Sequence, residues 1–166
     1  MDGLTFPTRS GPPPMTRRTL PHTQVDQQPA DPTIRAELAR RAFALVGVSE
    51  ADSGISVPGA RALVLDDRAT MPGDPAFLIG TEFAHLHPSP DFSLHMTLPE
   101  ATARGAIDAG WAEFHPFVDT GRAPPTLVMV FAPHDEVELE TVWQLLRLSR
   151  QFASAGPAAR CACGST

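Results

Sequence analysis

Residues 77–97 read FLIGTEFAHLHPSPDFSLHMT. Phe77, Ile79, Phe83 and His85 alternate with their neighbours, the period of a strand, and predict a strand from Phe77 to His87. Pro88-Ser89-Pro90-Asp91 breaks it, and Ser93 to Thr97 is expected to return as the second strand of a hairpin. Loop length sets the register. A five-residue loop, 88–92, puts His87 opposite Ser93 and His85 opposite His95. A loop ending at Asp91 slips the pairing by one residue and turns His95 to the other face. The five-residue loop is preferred because it collects Leu86, Leu94 and Met96 on the face away from the histidines.

Around this hairpin the remaining elements fall into place. Asp31-Pro32 is a cap followed by proline at the first helical position, and Ile34, Leu38, Ala42 and Leu45 recur at helical spacing, so a helix is expected from Pro32 to Val46, stopped by Gly47. Short strands are expected at 55–57 and 62–65 around Pro58-Gly59, and again at 113–118 and 126–132. A second helix is expected from Pro99 to Ala109 and a last one from Asp135 to Phe152, where Leu139, Val142, Trp143, Leu146 and Ser149 form the buried stripe. Strands and helices mix without strict βαβ alternation. The expected class is α+β, an antiparallel β-sheet with helices packed on one face.

With 166 residues the chain has room for one core, expected over 32–153. Residues 1–31 are rich in proline and polar groups and are expected to be a disordered leader. Residues 154–166 are expected to be a flexible tail, with Cys161 and Cys163 playing no part in the chemistry. A net charge of −6 argues against a nucleic-acid partner. No apolar run of about 18 residues exists, so no membrane partner is expected, and the lack of a disulfide framework and of a signal-like start favours a cytoplasmic protein.

The sequence contains no Lys, no Tyr and no Asn, and neither a nucleophile elbow nor a dinucleotide fingerprint. A lysine Schiff base, a P-loop lysine and a tyrosine proton donor are excluded. Chemistry falls to the histidines, four of which cluster as His85, His87, His95 and His115. In a strand, H-x-H sends both rings to one face, and His95 joins them in the preferred register. Imidazoles gathered in this way can act as general base or oxyanion donor. Alternatively, His85, His87 and His95 can hold Zn or non-haem Fe with one position open. Phe83, in alternation with His85, together with Trp111 and Glu113, makes the expected substrate-binding set; Glu113 shares a strand face with His115 and could orient it. Glu82 has the opposite parity to His85 and is expected on the other face. Neither His22, in the leader, nor His134 is expected at the site.

The ordered pieces Glu82, Ala84-His85-x-His87, Leu94-His95 after a five-residue gap, Gly110-Trp111, His115-Pro116, Ala132-Pro133 and the last helix resemble the fungal luciferase domain over about residues 80–153. The resemblance implies oxidation of a hydroxypyrone or another enolic or phenolic small molecule by O₂, through an endoperoxide and loss of CO₂, with no organic cofactor. On this reading His85, His87, His95 and His115 line the catalytic site and O₂ is the co-substrate. A non-enzymatic pocket for a small molecule or a metal is the alternative. The chain departs from the family pattern at its polar, proline-rich start and at Pro90, where the pattern carries a further histidine.

Overall fold

The structure, a computed structural model, describes residues 5–156. The two cysteines and most of the expected tail lie outside the described residues. The hairpin forms with the longer loop. Strand β5 (Glu82–Leu86) pairs antiparallel with β6 (Leu94–Thr97), His85 faces His95, and His87 N donates to Ser93 O at 2.9 Å.

This hairpin is the middle of a six-stranded antiparallel sheet. Its other strands are β3 (Val48–Asp52), β4 (Arg61–Leu65), β7 (Ala112–Phe114) and β8 (Leu127–Val130), in the order β3-β4-β5-β6-β8-β7. Register alone divides its faces. Leu63, Ala84, Met96 and Val128 stand side by side across four strands, as do Leu86, Leu94, Val130 and Ala112. Helices α1 (Pro32–Phe43), α2 (Glu100–Asp108) and α4 (Glu136–Ser154) cover that apolar face with Leu38, Ala103, Leu145 and Leu146, among others. Each large side chain buried there contributes about 1.5–3 kcal/mol. On the opposite face the aligned row is Ala62, His85, His95, Met129 and Glu113. The expected α+β class is what the chain adopts.

Three local expectations are corrected. Residues 55–57 are not a strand: β4 pairs instead with β3, whose side chains, mostly exposed, left little hydrophobic pattern to read. The strand expected at 113–118 stops at Phe114, because Pro116 has no N–H for a ladder and starts the short helix α3 (Pro116–Asp119). A register shift between Leu63 and Val64 places Glu82 opposite Val64, so the period-two rule fails along β5.

The largest correction concerns the expected disordered leader. Its described part is docked on the domain and carries the small hairpin of β1 (Thr16–Arg17) and β2 (Thr23–Gln24). Arg9 is buried, its Nε 3.1 Å from Glu138 and its backbone N donating to Ala109 O at 2.8 Å. Trp111 Nε1 donates to Pro7 O at 2.6 Å. Gln24 N donates to Asp91 Oδ1, and Gln24 Oε1 accepts from Ala132 N. Low hydrophobicity predicted disorder, but here specific hydrogen bonds and a buried ion pair replace apolar area, and prolines reduce the entropy lost on docking.

Candidate active site

The polar face of the sheet and the docked segment border a half-open cavity of about 510 Å³. Leu20, Ile55, Val57, Leu78, Phe117 and Leu127 give it apolar walls, and His22, His85, His87, His95 and His115 meet in it. All four expected histidines are brought together, each with 7% or less of its surface exposed, and His22 joins them from the segment where no site residue was expected. Neighbouring rings pack at 4.6–5.2 Å between centroids.

Five side chains form one hydrogen-bonded line. Glu82 Oε1 lies 2.7 Å from His85 Nδ1, His85 Nε2 is 3.1 Å from His95 Nδ1, His95 Nε2 is 3.1 Å from His22 Nδ1, and His22 Nε2 is 2.6 Å from Glu113 Oε1. Glu82 reaches His85 through the register shift in β5, and Ser53 Oγ and Gly54 N donate to its two oxygens. Glu113 also meets Arg18 at 3.2 Å; it orients His22 and not His115.

Beside the line stands a second carboxylate–imidazole pair. His87 Nδ1 is hydrogen-bonded to Asp91 Oδ2. Asp91 Oδ1 accepts from Ser93 Oγ, Ser93 N and Gln24 N, so the carboxylate is held from three directions. His87 Nε2 has no hydrogen-bond partner among the described residues. His115 is the N-cap of α3: its Nδ1 accepts from Phe117 N at 3.1 Å, which leaves Nε2 as its free nitrogen.

Electrostatics follow burial. Burial is the largest single influence and pushes the Glu82, Asp91 and Glu113 carboxyls up, but hydrogen bonds and charge attraction together, with His85, His87 and His22 foremost, outweigh it and hold all three below the ordinary carboxylate range. His95 is driven well below its ordinary value by burial and then by the neighbouring imidazoles. Burial and His22 lower His115 to about 4. Burial lowers His85 too, against the pull of Glu82. These three rings are neutral near pH 7, the form that can take a proton or a metal.

Phe83 and Trp111 do not line the cavity. Phe83, beside the register shift, is fully buried in the hydrophobic core, and Trp111 closes that core next to α2. Sequence reasoning missed His22, Glu82, Asp91 and Ser53. For Asp91 a signal existed, since a five-residue loop returning to Ser93 must pass its fourth residue close to His87. For His22 there was none, because nothing local links residue 22 to residue 95.

An apolar cavity over five imidazoles, four of them held by a carboxylate or a backbone donor, is a candidate small-molecule site on an α+β sheet. Comparison with known proteins finds similarity to luciferases. Residues 80–149 match the family model of the luciferase domain. The luciferases of Armillaria gallica and Armillaria ostoyae are each 28% identical over 92% of this chain. The luciferase of Neonothopanus nambi is 30% identical over 48% of it. The chain spans 63% of the length of the two Armillaria relatives. No solved structure matches it.

Proposed function

We propose that the chain is an oxygenase of an enolic or phenolic small molecule, with a hydroxypyrone as the first substrate class to examine. The observation that carries this reading is the cavity itself: about 510 Å³ with apolar walls, room for a small aromatic molecule, above an imidazole floor. The ring packs against Leu78 and Phe117, and its acidic hydroxyl points at the floor. The hydroxyl proton passes to His87 Nε2, whose ring Asp91 orients and stabilises once charged. The resulting enolate carries the electrons that reduce O₂. One carbon–oxygen bond forms, the carbon is oxidised, and the peroxide takes up a proton, with no external reductant. The Nε2–H of neutral His115 is a donor for the developing oxyanion. The apolar walls keep water from the peroxide.

The likeness to luciferases supports the use of O₂, and the Asp91-held ring of His87, with its Nε2 unpartnered among the described residues, supports a proton acceptor at the cavity floor. The test is oxygen uptake by the purified chain over a panel of hydroxypyrones and polyphenols. Substrate-dependent uptake that His87→Ala abolishes is the expected result. Tight binding of a panel member without any uptake would make the chain a binding module instead.

A further inference from the structure

Glu82, His85, His95, His22 and Glu113 are joined by four short contacts, each of which needs one proton. With one proton on each ring, the three imidazoles supply three. One contact is therefore left as two lone pairs facing each other unless something positive occupies it, and an unmet polar pair at this depth costs roughly 1–3 kcal/mol. The contact best placed to be replaced is His85 Nε2 to His95 Nδ1. At 3.1 Å it is close to the separation of about 3.3 Å that two ring nitrogens have when both sit about 2.0–2.1 Å from one tetrahedral ion. His87 joins them: each of His85, His87 and His95 can offer a ring nitrogen, and these lie within 4.8 Å of one another.

We propose that His85 Nε2, His87 Nε2 and His95 Nδ1 bind one divalent transition-metal ion of the iron or zinc class, with its fourth position open to the cavity. Proton positions then close without remainder. His85 donates Nδ1–H to Glu82, His87 donates Nδ1–H to Asp91, His95 donates Nε2–H to His22 Nδ1, and His22 donates Nε2–H to Glu113. Every ligand ring is thus backed by an acceptor that fixes its tautomer, the arrangement that metal-binding histidines require. The three nitrogens are uncharged and come without a carboxylate ligand, which suits Zn, Fe, Cu or Ni and not Mg or Ca.

A second group, His22, His95 and His115, is equally compact. Hydrogen bonding rules it out. A metal on His115 Nε2 would put the ring's proton on Nδ1, facing the Phe117 N–H that Nδ1 now accepts. Two donors would meet head-on.

The ion goes beyond the oxygenase reading and does not depend on it. With an ion bound, His87 Nε2 would be a ligand and the open position would face the substrate's oxygen; His87 is the base only in the metal-free protein. The test needs no substrate. The full chain is stripped with chelator, incubated separately with Zn²⁺, anaerobic Fe²⁺ and Mg²⁺, desalted, and assayed for bound metal and melting temperature. One Zn²⁺ or Fe²⁺ per chain is expected, with a higher melting temperature, and no retained Mg²⁺. His87→Ala and His85→Ala should lose the ion, Glu82→Gln should bind it roughly 10–100-fold more weakly, and His115→Ala should keep it. Circular dichroism confirms that each variant is folded, and the wild-type stoichiometry stands as a test if any is not. No stoichiometric metal in the wild type overturns the proposal. So does an ion that survives His87→Ala, or one lost with His115→Ala but kept with His85→Ala.

Discussion

A buried histidine is only as useful as the group that holds its second nitrogen. Asp91 does this for His87, Glu82 for His85, Glu113 for His22, and a backbone N–H for His115. Asp91→Asn keeps the shape of the acceptor but removes the charge that stabilises a protonated His87. Oxygen uptake should fall on the order of 10²–10⁴-fold while the fold survives, as read by turnover and melting temperature together. An unchanged rate would remove His87 as the base. The residues also set the response to acid. The folded-state values of His95 and His115 lie below the ordinary 6.5, so the unfolded chain binds protons first and stability falls as pH drops through 6.5. For His115 the loss continues to about pH 4 at about 1.4 kcal/mol per pH unit. The depressed carboxyls of Glu82, Asp91 and Glu113 add losses below their ordinary range, as each is protonated. Melting temperature should therefore decline from about pH 6.5 downward, and less steeply in His115→Ala. A flat profile between pH 4 and 7 would contradict the burial of neutral rings.

Among the elements, the docked amino-terminal segment has the most to decide, since it roofs the cavity with Leu20 and supplies His22. Its grip is polar. Arg9 and Glu138 form an ion pair with side chains only 3% and 13% exposed, and removing one partner of such a pair costs about 3–5 kcal/mol. Arg9→Ala should lower the melting temperature by many degrees. Deleting residues 1–24 should lower it further and open the cavity. A deletion that melts like the full chain would show that the segment is not part of the folded unit. Within β5, the register shift that brings Glu82 to His85 is a second element-scale device, because an unbroken strand would send that carboxylate to the helical side.

At the scale of the molecule, one sheet does two separate jobs on its two faces. Leu146 is fully buried against the apolar face, and Leu146→Ala should destabilise by about 2–5 kcal/mol while leaving metal content and oxygen uptake per folded chain unchanged. His87→Ala should do the reverse. Equal losses in both variants would mean that the faces are not independent. The hairpin register, the shared face of His85, His87 and His95, the helical stripe of α4 and the α+β class were all legible in the chain, because they follow from periods of two and 3.6 residues acting over neighbours. His22, Glu82 and Glu113 as partners of those rings were not. Residue 22 meets residue 95 across 73 positions, and Glu82 changes face only where its strand loses register with β4. Local pattern determines which side of an element a residue takes; only tertiary packing decides which polar groups are close enough to share a proton, since that depends on distances between segments that carry no mark of one another in the sequence.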